Sequence, residues 1–188
     1  MKNTFLSVAV VALLSICMSS PAKAEVKKVD HAISETEVLD AQQDWCNALI
    51  DISTTYAEDG HAEAKALAEE IIDSAYGYQL GTVLFKPTLT TEPQTFRTTS
   101  RGALSYFVGG DDKFPDDSGF ALNDWNMCEP ENAAIFIAGN TASTIGKVYF
   151  TDVDGDTTSV DKSWVFLKDD TGQLRIMLHH SSLEYDGQ

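Results

Sequence analysis

What most constrains this 188-residue chain is a change of hydrophobic period about 80 residues in. Before that point apolar residues recur every three or four positions; beyond it they alternate. Ser34-Glu35-Thr36-Glu37 reads as a capping box, with Ser34 as the cap and Glu37 reaching back to it. A helix is predicted from there to about Tyr56, burying Val38, Ala41, Trp45, Ala48, Leu49 and Ile52 at helical spacing. Glu58-Asp59-Gly60 breaks it. A second helix follows from about Ala62 to Tyr76, with Ala64, Leu67, Ala68, Ile71, Ile72 and Ala75 on one stripe. Gly77 and Gly81 end that pattern.

From there the period is two, and strands are predicted at 82–88, 95–99, 102–109, 132–139, 141–151, 157–168 and 173–182. Asn140 sits between two of them as a tight turn. Asp154-Gly155 and Asp169-Asp170-Thr171-Gly172 are hairpin signals, and 110–119 is an acidic loop containing Gly and Pro. Two helices followed by hairpin-connected strands define an α+β fold. The economical arrangement is a curved antiparallel sheet wrapped around the N-terminal helices, enclosing a cone-shaped cavity suited to a ligand.

The first residues are of another kind. Lys2, an apolar stretch from Phe5 to Met18 and the Ala22-Lys23-Ala24 site form a secretory signal peptide over 1–24, leaving 25–188 as a single domain. The apolar stretch is short of the roughly 20 residues a membrane span needs, so no membrane insertion is expected. Ile16 before Cys17 is too bulky for a lipid-attachment motif. The expected location is therefore periplasmic or secreted. Cleavage removes Lys2 and Lys23 and no acid, taking the net charge from −16 to −18. That charge excludes the basic patch a nucleic-acid or anionic-membrane partner requires. The export signal leaves Cys46 and Cys128, which in an oxidising compartment form either a disulfide or two separate buried thiols.

Candidate chemistry is sparse. Asp152-Val153-Asp154-Gly155-Asp156 resembles a calcium loop only superficially, because its glycine is fourth and no glutamate closes it. A solvent-exposed hairpin is the better reading. His31 and His61 fall in exposed positions, and no His-x-His or His-x-x-x-His pair exists, so a three-histidine zinc site is unsupported. On the last strand Arg175, Met177, His179 and Ser181 share one face; Ile176, Leu178, His180 and Ser182 share the other. The second set begins as a packing face, and the first carries an imidazole and a hydroxyl about 7 Å apart. Thr88 ends one apolar strand, and Ser105 and Tyr106 lie inside another. Hydroxyls from three strands and one imidazole can converge on a small polar solute in a dry cavity. The residue pattern leads no further.

Val83-Leu84-Phe85-Lys86-Pro87-Thr88, Phe96-Arg97, Ala103-Leu104-Ser105-Tyr106-Phe107-Val108-Gly109, Gly119-Phe120-Ala121-Leu122, Glu131-Asn132-Ala133 and Leu178-His179-His180-Ser181-Ser182-Leu183 occur in this order. In that order and content the chain resembles the iota-class carbonic anhydrases of the metal-free cyanobacterial and algal branch, over roughly residues 40–185. The resemblance implies the cone of the calmodulin-dependent kinase association domain and of nuclear-transport-factor-like proteins, assembled as a homodimer. It implies reversible hydration of carbon dioxide to bicarbonate with no metal or other cofactor. It carries over Thr88, Tyr106 and Ser181 as the hydroxyls that hold the substrate, with His179 beside them as the proton-moving base. The chain departs from the family pattern at Ser159-Val160-Asp161-Lys162-Ser163-Trp164, where an aromatic run is usual, and at Cys128-Glu129-Pro130. The alternative from another class is a non-catalytic periplasmic cone that binds a small ligand or serves assembly, since fold alone does not specify function.

Overall fold

The computed structural model describes residues 31–185 and 187; the predicted export signal lies outside them. Helix α1 spans Glu35–Asp59. Its capping box is complete: Ser34 Oγ accepts from the Glu37 amide at 3.2 Å, and Glu37 Oε2 accepts from the Ser34 amide at 2.8 Å. The helix runs nearly a turn beyond Tyr56 before Gly60, at φ 94°, turns the chain into α2, His61–Ala75. Residues with a side chain pay a steric penalty at that φ and glycine does not.

Beyond α2 the chain forms β1 (Leu84–Lys86), α3 (Ser100–Val108), a 3₁₀ turn at Phe120–Leu122, then β2 (Trp125–Ala138), β3 (Thr141–Asp152), β4 (Thr157–Lys168) and β5 (Leu174–Ser182). The sheet order is β1-β5-β4-β3-β2. All neighbours are antiparallel except β1, which runs parallel to β5. The sheet curves over α1 and α2, and its concave face packs Val148, Phe150, Val160, Trp164 and Phe166 against Trp45, Leu49 and Ile52. This is the α+β cone expected from the period change.

Three expected strands differ. Residues 102–109 are helical, not extended. Thr99 caps α3 by accepting from the Gly102 amide at 3.2 Å, and Ala103, Tyr106 and Phe107 are buried at i, i+3, i+4 spacing. A short apolar run has no period that separates a strand from a buried helix, and here the cap decides it. Residues 95–99 pair with no strand; the Arg97 amide donates to Phe85 O at 2.9 Å, and its guanidinium meets Asp117 at 2.7 Å. The 82–88 prediction shrinks to the three residues of β1. Conversely β2 begins at Trp125, well before 132, and takes in Cys128-Glu129-Pro130. As an edge strand β2 tolerates Pro130, whose missing N–H costs no inner ladder bond. Cys46 and Cys128 are joined in a disulfide that ties α1 to this strand, with Cα atoms 5.2 Å apart.

The parity of β5 is also not uniform. Val165 pairs with Leu178 and Phe166 with Ile176, so Met177 is an extra residue in a β-bulge. Ile176 faces the core before the bulge, and His179 and Ser181 face it after, both nearly inaccessible. His180 is exposed on the outer face. The face expected to carry Arg175, Met177, His179 and Ser181 thus becomes the inner one only from His179 onward.

Candidate functional site

Two polar clusters lie side by side under the end of β5. The first is made of hydroxyls. Parallel pairing of Phe85 with His179 and Lys86 with His180 carries the chain past Pro87 to set Thr88 beside Ser181. Thr88 Oγ1 donates to Ser181 Oγ at 2.6 Å. Lys86 Nζ donates to the carbonyls of Ser181 at 3.1 Å and Thr88 at 3.4 Å, fastening the two segments together. Tyr106 reaches the same place from α3. Its phenol oxygen is hydrogen-bonded with the Thr88 side chain and with the backbone at Thr88 and Leu89, while burial pushes its pKa up to about 12. It therefore stays protonated and keeps an O–H to give. Phe120 stacks on its ring at 5.7 Å and Phe85 meets it edge-on at 5.7 Å. Thr88, Tyr106 and Ser181 are thus brought together, Tyr106 from a helix rather than a strand.

A hydroxyl has one proton to donate. That of Thr88 is spent on Ser181, so the proton between Thr88 and Tyr106 is the phenol's own, free to turn to a substrate, while that of Ser181 is not committed by the contacts above. Two O–H donors set against aromatic walls suit an oxyanion.

The second cluster surrounds His179, 2% exposed. Phe85 stacks on it at 4.5 Å, and Trp45 and Trp164 stand at 5.3 and 5.9 Å. Both ring nitrogens are engaged: Nδ1 with the Tyr76 hydroxyl at 2.8 Å, Nε2 with Lys162 Nζ at 2.8 Å. Trp45 Nε1 in turn donates to Tyr76 Oη at 3.0 Å. Burial, then the neighbouring Lys162 and His180, hold the His179 pKa well below 6.5, so the ring is neutral near pH 7. Burial likewise brings Lys162 down to about 7. Its Nζ lies over Trp45 at 4.5 Å, Trp164 at 5.4 Å and Phe150 at 5.8 Å. His179 therefore sits next to the hydroxyls, as expected, but neither nitrogen is open toward them.

Tyr76, Trp45 and Lys162 were not anticipated by sequence reasoning. Tyr76 and Trp45 read there as a helix end and a core position. Lys162 had a signal: it occupies the inward parity of β4 between Val160 and the pair Trp164 and Phe166, a lysine in a row of core residues. Elsewhere, Asp152 Oδ1 accepts from the amides of Asp154 and Asp156, both at 3.0 Å, as a hairpin requires. Among the described residues no three His, Cys, Asp or Glu side chains converge on a point that could hold a metal ion.

This geometry has counterparts. A family model described as metal-independent carbonic anhydrase matches residues 36–183. A metal-independent carbonic anhydrase of Nostoc sp. is 63% identical over 158 residues, covering 84% of this chain and 77% of the relative. A crystal structure of a cyanobacterial iota-carbonic anhydrase complexed with bicarbonate superposes with a TM-score of 0.84 at 61% identity, covering 86% of this chain and 99% of that one. A calcium/calmodulin-dependent kinase II association domain from Xanthomonas campestris shares the fold alone, at TM-score 0.53 and 17% identity over 86% of this chain and 99% of that one.

Proposed function

The chain belongs to the metal-independent carbonic anhydrase family, and from that premise we propose that Thr88, Tyr106 and Ser181 hold the substrate of its reaction while His179 serves the proton transfer. The reaction is reversible hydration of carbon dioxide to bicarbonate without a metal. The observation that carries the site assignment is the convergence of Thr88, Ser181 and Tyr106, with the Thr88–Ser181 bond at 2.6 Å.

A zinc ion would lower the pKa of water from about 15.7 to about 7, worth about 12 kcal/mol at 1.36 kcal/mol per unit. Hydroxyls do not do this, so water here is deprotonated as it attacks carbon, not beforehand. Each preorganised donor aimed at the developing carboxylate contributes about 2.7–4 kcal/mol in a water-poor site. Ser181 and Tyr106 are such donors. A positioned base adds about 10²–10⁴-fold. Because both nitrogens of His179 are bonded to protein groups, the ring acts through them, passing proton demand along the Tyr76–His179–Lys162 line.

Two further assignments belong to this reading. The protein acts outside the cytoplasm, freed from residues 1–24; the Cys46–Cys128 disulfide suits an oxidising compartment. It works as a homodimer through the outer sheet face, where Phe136 and Ile145 are 69% and 58% exposed. Stopped-flow hydration by chelated protein, with metal analysis of the same sample, tests the activity. Rates that track bound zinc or manganese refute it. Intact mass of exported protein should begin at Glu25, and light scattering should give twice the chain mass.

A further inference from the structure

Two proton arrangements are open to the groups around His179, and in the first every hydrogen bond runs from Trp45 toward Lys162. The indole N–H of Trp45 can only donate, and it donates to Tyr76 Oη at 3.0 Å. Tyr76 keeps its own proton, because burial raises its pKa well above 10. The partner for that proton is Nδ1 of His179 at 2.8 Å. A neutral imidazole that accepts at Nδ1 carries its hydrogen at Nε2. That N–H points at Lys162 Nζ, 2.8 Å away, which can accept only as a neutral amine. In the reverse arrangement Nζ donates to Nε2 and the ring proton sits on Nδ1, given to Tyr76 Oη; a neutral amine bonded in this way keeps its lone pair free, and this is the arrangement a base needs.

We propose that Lys162, buried among aromatic rings without a carboxylate partner and bonded to His179, is the catalytic base that takes the proton of the attacking water. The inference rests on the hydroxyl-site reading above. The water oxygen bonds to the carbon of carbon dioxide; one water O–H breaks, its electron pair stays on that oxygen, and its proton goes to the Nζ lone pair. The products are bicarbonate and the Lys162 ammonium, which then releases one proton to solvent.

Placement supports contact with the reacting water. Lys162 is the direct cross-strand partner of Ser181, and both face inward. Such partners have Cβ atoms about 4.5–5.5 Å apart, so a water bound by Ser181 lies within reach of Nζ. The ammonium, once formed, faces the indoles of Trp45 and Trp164 and the ring of Phe150, which favour a cation. Trp164 Nε1 is buried with no hydrogen-bond partner, one more donor available to an anion at this wall.

The groups facing Lys162 are uncharged near pH 7: His179 from β5, Trp45 from α1, Phe150 from β3 and Trp164 from β4, with Tyr76 behind His179 keeping its proton. Its own neighbour Asp161 pairs instead with Lys147 on the outer face, and buried Asp117 pairs with Arg97. Among the described residues no carboxylate bonds to Lys162, and burial alone brings it to about 7.

Stopped-flow hydration by chelated wild type, Lys162→Met and Lys162→Arg across about pH 6–9 tests this, together with an NMR titration of the wild-type lysine ¹³Cε signals. Wild-type rate should rise about tenfold per pH unit up to about pH 7 and then level. Both variants should lose about 10²–10⁴-fold and the pH rise, while still binding ¹³C-bicarbonate. Arginine keeps a cation but cannot give up its proton, so it separates a base from a mere charge. An Arg variant with wild-type rate and profile overturns the proposal. So does a Lys162 signal that titrates near pH 10, a result that needs no variant to fold. A wild type that hydrates nothing while Lys162 titrates near 7 instead refutes the hydroxyl-site reading beneath it.

Discussion

Lys86 of β1 and Lys162 of β4 flank the same segment of β5 from its two sides, and burial lowers the pKa of both. Their partners make them different devices. Lys86, half-buried at the sheet edge, has two carbonyl oxygens to receive its protons, so its ammonium is a tie between β1 and β5. Lys162, 4% exposed, has aromatic faces and a single ring nitrogen, one acceptor at most for three ammonium protons. An ammonium without acceptors is costly in such a place, and the group gives up its charge instead. The contrast teaches that the acceptor set around a lysine, more than its depth, decides whether it binds or titrates. On the proposed reading the hydroxyl cluster beside Lys86 and the dry cage around Lys162 divide the reaction, one side holding oxygens and the other moving a proton.

The strongest way to break that division is to loosen the cage wall without touching the hydroxyls. Cys46 follows Trp45 in α1, and its bond to Cys128 closes a span of 82 residues. Replacing both cysteines by serine should cost about 4–5 kcal/mol by chain entropy, read as a lower urea midpoint. A change under about 1 kcal/mol would mean that packing alone holds Trp45 over Lys162. Next comes the hydroxyl side. Tyr106→Phe removes only an oxygen, so the melting curve should hold while hydration falls by about 10²-fold or more. Ser181→Ala should behave similarly. Wild-type rates in either variant would leave the hydroxyls without a transition-state role.

A smaller effect separates the two lysines by stability. The folded pKa of Lys162 lies below its unfolded value of 10.5, at about 7, so between these pH values the unfolded chain binds more protons. Stability contributed by this group therefore rises with pH from about 7 to 10, by about 1.4 kcal/mol per unit. Denaturation of Lys162→Met should show a flatter pH dependence and greater stability below pH 7; an unchanged slope would place the wild-type pKa near its ordinary value. The smallest effects are controls. Ser182→Ala, facing away from the core, should leave the rate within about twofold. Calorimetry should detect no micromolar calcium at Asp152–Asp156, since the Asp152 carboxylate is engaged by its own turn.

Much was settled by sequence alone because it depends on neighbours within a few residues. The capping box at Ser34, the break at Gly60, the turns at Asn140, Gly155 and Gly172, and the alternation of β3 and β4 are all local, and the cone followed from them. The opposition of His179 and His180 is also local, since adjacent strand residues point to opposite faces. Tertiary structure decided whatever depends on distant partners. Ala103–Val108 is a helix because Thr99 caps it and the core accepts that face, while its apolar run suits a strand equally well. The Met177 bulge arises from pairing with β4 and reverses the inward parity partway along β5. Above all, nothing within ten residues of Lys162 reveals that Trp45, Phe150 and His179 surround it, from positions separated by 117, 12 and 17 residues. A pKa is set by solvation and by the acceptors within a few ångströms, and those exist only once the chain has folded.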